Sequence, residues 1–196
     1  MEKINFIKTF IPQGDFREKY EHGGMMVRHL AAVLDEKMGA YECYECTVPI
    51  GEYDEGEIQK AFAEFSVKMD ALKLKQAKVD KIAEIAAYDT SSSVNGFVLN
   101  GLLVWLDKAT RVGLMNSTTI AKASGQETTT LWLGGMKLVV DCDKAIQLLS
   151  ALEMYALECF NVTASHKQAV SELTTIEEVE AYDYKAGYPK MIEMSV

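Results

Sequence analysis

The chain has 196 residues, 48% hydrophobic and 25% charged, with 3 prolines and a net charge of 20 − 29 = −9. These figures fit one ordinary globular domain or two small ones, and exclude a disordered, collagenous or membrane-spanning chain. The acidity, with a pI near 4.9, also argues against duplex nucleic acid or an anionic membrane as partner, since both require clustered Lys and Arg. Residues 1–12 carry Lys3 and Lys8 within a short apolar stretch, too charged for a signal-peptide core, and no run of 18 apolar residues follows. Cys43, Cys46, Cys142 and Cys159 are therefore expected as reduced thiols in a chain first folded in a cytoplasm.

Ile4 and Phe6 alternate, Phe10 and Ile11 follow, and Pro12 stops the run, which predicts a strand over 3–11. Gly14 and Gly23-Gly24 mark turns. Residues 25–38 stay open from spacing alone: Met26, His29, Leu30, Val33 and Leu34 suit a helix, yet the same run can pair as a strand. Residues 40–48 are rich in β-formers and end at Pro49 and Gly51. Asp54 and Glu57 resemble a capping box, and Ile58, Phe62, Phe65, Met69 and Leu72 then recur at steps of 4, 3, 4 and 3. The count continues weakly through Gln76, Val79, Ala83 and Ala86, predicting one helix over 55–87 with Lys68, Lys73, Lys75 and Lys78 on its wet faces. Its seam, 58–86, suits either packing within its own domain or a coiled coil with other copies.

Asp89-Thr-Ser-Ser-Ser93 breaks the helix and separates an acidic first part from a nearly balanced remainder: residues 1–70 carry 8 − 14 = −6, leaving −3 for 71–196. Asn100-Gly101, flanked by Phe97-Val-Leu99 and Leu102-Leu-Val-Trp105, predicts a type I′ hairpin, because both turn positions need positive φ. Asp107 is placed to cap a following helix. The grammar repeats at an offset of 34: Leu131-Trp-Leu133, Gly134-Gly135, Met136 to Val140, then Asp141 and Asp143 opening a helix with Ile146, Leu149, Leu152, Tyr155, Ala156, Cys159 and Phe160 on one face. A short helix capped by Thr175 follows, with Glu177 and Glu178 in its first turn, and Gly187-Tyr-Pro189 is expected to end the ordered fold. The fold class is α+β: N-terminal strands, one long helix, then two β-hairpin–helix units with a long C-terminal helix. The predicted organisation is a small β-containing module over 1–53, a linking helix over 54–88 and a hairpin–helix domain over 89–196.

No motif carries a catalytic, cofactor or metal assignment. Cys43-Tyr-Glu-Cys46 lies in a strand-like run, where residues three apart face opposite sides; a zinc site would need His22 and His29 to complete it. His166 has no nucleophile with a recognisable elbow beside it. Asp141 and Asp143 are explained by capping, the glycine turns lack a phosphate-loop context, and the sequons at Asn116 and Asn161 matter only after secretion. Trp105 and Trp132 read first as core or hairpin-packing aromatics, with an exposed recognition role as the alternative. Arg111 is placed to pair with Asp107 one turn away.

The stretch from Tyr88 to Pro189 resembles an uncharacterised domain family of bacteriophages and prophages, common in those of Bacteroidales and found near tail genes. The residues that carry the match are Tyr88-Asp-Thr-Ser, Val94-Asn95-x-Phe97, Trp105-Leu-Asp-Lys-Ala-Thr-Arg111, Leu131-Trp132, Leu152-Glu-x-Tyr155-Ala156, Glu177-Glu-Val-Glu-Ala-Tyr-Asp183 and Gly187-Tyr-Pro189. Tyr41 to Pro49 also looks like the N-terminal module that accompanies such domains, which tilts residues 25–34 towards a strand. The resemblance implies a non-enzymatic structural or assembly protein of a phage or prophage particle at its tail or host-contact end, located in the virion or in the host cytoplasm before assembly. Its partners would be other phage structural proteins or further copies of itself, with no nucleic acid or membrane. The alternative is an accessory module that binds a small molecule or host protein in a cleft between Trp105 and Trp132. Candidate interaction residues are Ile58, Phe62, Phe65, Met69, Leu72, Trp105, Arg111 and Trp132.

Overall fold

The computed structural model describes residues 4–195; the first residue of the strand expected over 3–11 lies outside them. The chain is α+β and divides into two compact units, residues 1–73 and 74–196. The expected boundary was the polar break at 89; the division between the units falls inside the long helix.

The first unit is a four-stranded antiparallel sheet of order β1-β4-β3-β2 with the beginning of a helix packed on it. Its strands are β1 (Ile7–Pro12), β2 (Lys19–His22), β3 (Met25–Asp35) and β4 (Ala40–Pro49). The ambiguous run is thus a strand, and its lack of alternation has a physical cause. Val27, Arg28, His29 and Leu30 are all buried, because both sheet faces are covered there. Between Leu30 and Val33 the pairing slips, with Ala31 in left-handed backbone (φ 51°), so Leu30, Val33 and Leu34 mimic helical spacing through a bulge. Strand β2 had no sequence signal, being short, charged and at the sheet edge.

Register sets Cys46 opposite Arg28 and Cys43 opposite Thr9, with the two thiols on opposite faces as the spacing implied. Burial pushes both thiols up from their ordinary values. Cys46, Leu30, Val48 and Ile58 form the core under α1 (Glu55–Asp89). On the other face, His29 is buried against the Phe16 and Tyr20 rings, bonded to the Arg17 carbonyl and to Glu45.

Helix α1 starts with the predicted capping box: Glu57 N–H donates to Asp54 Oδ1 (2.8 Å) and Asp54 N–H to Glu57 Oε2 (2.9 Å). Arg28 locks this end with a fork onto Glu55, Nε to Oε2 at 3.1 Å and Nη2 to Oε1 at 2.6 Å, while Nη1 donates to the Glu18 carbonyl. Those bonds hold the Glu55 carboxyl below its ordinary value. The seam then follows prediction to Met69: Ile58 is fully buried, and Phe62 and Phe65 pack on Phe6 and Tyr44 with ring centroids 5.2–5.8 Å apart. Burial of a side chain like Ile58 contributes about 1.5–3 kcal/mol.

Beyond Met69 the seam departs from expectation. Leu72 and Val79 are exposed, as are Gln76 and Ala83, and the buried side resumes at Leu74, Ala77, Ile82 and Ile85. A step of five from Met69 to Leu74 puts the second set out of phase with the first. Lys78, expected on a wet face, instead donates to the Ser171 carbonyl at 2.7 Å, one of the carbonyls left free at a helix end.

The second unit contains the two predicted hairpin–helix modules. After the short α2 (Ser92–Asn95) come β5 (Gly96–Leu99), β6 (Leu102–Trp105) and α3 (Lys108–Ala123). Then follow β7 (Thr128–Leu133), β8 (Met136–Asp141) and α4 (Cys142–Glu172). Both turns are type I′-like, with φ of 50° and 81° at Asn100-Gly101 and 56° and 82° at Gly134-Gly135. Asp107 and Asp141 cap α3 and α4 as expected. The core joins Phe97, Leu99, Val104, Leu131, Leu133 and Val140 from the strands to Ala145, Leu149 and Leu152 of α4.

Helix α5 (Ile176–Ala181) begins with a full Thr175–Glu178 capping box. Val179 packs with Val170 and Ile85, while Tyr182 bonds to His166. The ordered fold does not end at Pro189. β9 (Glu193–Met194) adds in parallel to β5, giving the order β6-β5-β9, and Ile192 and Met194 reach the core. A two-residue parallel partner so distant in sequence has no local signature.

Candidate functional site

In the second unit, the end of α1, α2, β6, the first turn of α3 and the middle of α4 enclose a cleft of about 400 Å3. One wall is ionic. Arg111 is buried and does not pair with Asp107; its Nε donates to Glu153 Oε1 at 2.8 Å and its Nη1 to the Leu106 carbonyl at 2.7 Å. Asp107 is already occupied as the α3 cap, accepting from Thr110 N–H (2.8 Å) and Thr110 Oγ1 (2.6 Å). These bonds, the hydroxyl's first, hold the Asp107 carboxyl below its ordinary value. A side chain pointing at its own helix start is spent on capping, so the buried guanidinium takes a carboxylate on the next helix instead.

A buried polar row along α4 holds α2 and the end of α1 in place beside the cleft. Tyr155 O–H donates to the Val94 carbonyl at 2.6 Å, and the Cys159 thiol donates to the same oxygen at 3.2 Å. Thr163 Oγ1 donates to Asp89 Oδ1 at 2.8 Å and also contacts Tyr188 O–H. Burial raises the Tyr155 phenol and the Cys159 thiol, so both remain protonated donors. Asn95 Nδ2 closes the turn by donating to the Asp89 carbonyl at 2.5 Å.

The outer lip is apolar. Trp105 is 41% exposed, Leu157 50% and Phe160 61%. This corrects two expectations: neither tryptophan is a core residue, Trp132 being 62% exposed opposite Lys137 on the β7–β8 ribbon, and Phe160 does not share the buried α4 face. The buried face runs through Leu149, Leu152, Tyr155, Cys159 and Thr163, and Phe160, one position past Cys159, turns about 100° away from it. Trp132 is not among the residues lining the Trp105 cleft, so the two indoles do not share this cleft.

Of the expected interaction residues, Trp105 and Arg111 meet here. Ile58, Phe62, Phe65 and Met69 are used in the first unit, and Leu72 is exposed. Sequence reasoning missed Glu153, Asp89, Leu157 and Phe160 as members of one site. For Asp89, Glu153 and Leu157 the available signal was their presence in, or beside, separate motifs that carry the resemblance: Asp89-Thr90, Asn95, Trp105 to Lys108 with Arg111, and Glu153 with Ala156 all line this cleft. Among the described residues no group of three or more His, Cys, Asp or Glu is placed to hold a metal ion, and no helix is long and apolar enough to cross a membrane.

Residues 76–186 match the family described as a domain of unknown function, DUF4376, and the chain belongs to it. No curated protein and no solved structure matches the chain.

Proposed function

We propose that this DUF4376 protein is a non-enzymatic structural or assembly component of a bacteriophage or prophage particle, associated with the tail or host-contact end, and that it works by binding a partner at the Trp105 cleft. The observation that carries the reading is the pairing of an exposed apolar lip, Trp105, Leu157 and Phe160, with charged walls whose side chains are fixed in place by internal hydrogen bonds. Arg111 is held by Glu153, Asp107 by Thr110 and Asp89 by Thr163. Groups committed in this way shape a surface, and exposed aromatics around a cleft are the usual anchors of protein association. The phage setting rests on the sequence resemblance. Detection of the protein in purified particles, with its copy number, tests the reading directly. A strict monomer by light scattering that is also absent from particles would overturn it.

The cleft volume favours a second reading, an accessory module holding a small molecule. Native mass spectrometry of the purified protein distinguishes the two, since a co-purifying metabolite lost on Trp105→Ala supports the second.

A further inference from the structure

We infer that the occupant of the Trp105 cleft is a basic segment of a partner protein, with one lysine or arginine side chain entering beside Trp105 and the carboxylates of Asp89 and Asp107. This rests on the partner-binding reading above. The charged groups that line the cleft are Asp89 from α1, Asp107, Lys108 and Arg111 from the start of α3, and Glu153 from α4. Arg111 and Glu153 cancel at 2.8 Å, with the guanidinium buried. What remains is the charge of two carboxylates, whose Thr110 and Thr163 donors are neutral, against Lys108, a negative balance.

An anionic occupant would face both carboxylates. The usual anion mode at a helix start is also closed, because Asp107 already accepts the Thr110 N–H there. A cationic side chain meets complementary features on each side: carboxylates for its head, the Trp105 and Phe160 rings for cation–π contact, and Leu157 for its methylene stem. Exposed apolar surface continues along α4 from Leu157 to Met154, which is 60% exposed. A free amine or guanidine would leave that surface uncovered, so the occupant is a peptide segment of a protein.

Trp132→Phe leaves Trp105 as the sole tryptophan and makes its fluorescence a direct reporter. In that background the probes are acetyl-Leu-Arg-Leu-amide and its neutral counterpart with citrulline for arginine, titrated to millimolar concentration. The expected result is a saturable change in Trp105 emission with the arginine peptide. Its affinity should fall about tenfold or more with citrulline, and also on adding Asp107→Asn, which retains an N-cap acceptor. High salt should weaken the arginine peptide selectively. Equal affinity for the two peptides overturns the cationic occupant but leaves an apolar binding cleft. No saturable response to either peptide overturns the cleft as a docking site altogether. The citrulline comparison needs no change at Asp107 and decides the matter even if that variant folds poorly.

Discussion

The two hairpin–helix units are written in one local grammar and end in different surroundings. Each has a type I′ turn, a tryptophan and an aspartate cap, yet the first hairpin gains β9 as a third strand while the second stays two-stranded. On the first hairpin the tryptophan, Trp105, borders a cleft; on the second, Trp132 stands on an open ribbon. The cations also differ. Arg111 at the start of α3 is buried on Glu153, whereas Lys122 at its end meets Asp143 in an exposed pair. The same short-range code therefore sets a tryptophan and an arginine at the cleft of one copy, whereas the cleft beside β8 and the start of α4 in the other copy is lined by neither, because the neighbours differ.

Four experiments sharpen or break this contrast. Arg111→Ala should be the most damaging, costing about 3 kcal/mol, since it strands the partly covered Glu153 and the Leu106 carbonyl. Lys122→Ala should barely move the urea midpoint, and similar losses from both would erase the distinction between the two pairs. Next is Gly134→Asn, which gives the second turn the residue that the first turn carries at Asn100. A Cβ at Gly134 would lie 2.9 Å from Val104 Cγ2, whereas nothing lies within 4 Å of one at Gly135, the next position of the same turn. Asn tolerates the backbone angle, so a cost of about 1–2 kcal/mol would be the clash itself. Relief by Val104→Ala in a double-mutant cycle checks that cause.

Smaller still, Trp132→Ala should change stability by less than about 0.5 kcal/mol, as for an exposed substitution. Trp105→Ala should cost little more, yet abolish partner binding. A large loss of melting temperature in either would return that indole to a packing role. The finest test is acid. Asp107 has a folded value below its unfolded one, near 3.9, so its stabilisation is present above that value and disappears as pH falls through the folded value. Melting curves from pH 6 down to 3 should therefore show the wild type losing more of its margin than Asp107→Asn. Parallel curves would mean that the cap does not depend on the charge.

Much of this was legible from short-range chemistry. The Asp54–Glu57 and Thr175 caps, both hairpin turns and the first seam of α1 depend on residues a few positions apart, and all formed as read. The failures have a common character. Residues 25–35 lacked alternation because both faces of β3 are covered, and that covering comes from other parts of the chain. The α1 seam shifted phase after Met69 because the later half packs on Val170 and Val179, about a hundred positions away. Arg111 chose Glu153 over Asp107 because the nearer carboxylate was already committed to the helix start.

The sequence by itself determined the acidic balance, the α+β class, the turns and the caps. Those are set by backbone sterics and by contacts within about one turn, which a linear string records. Only the tertiary structure decided which carboxylate holds Arg111, that Trp105 and Phe160 share an exposed lip, and that the tail returns as β9. Each of those depends on bringing distant segments together, where burial and competition for hydrogen-bond partners select one arrangement among several that local spacing allows.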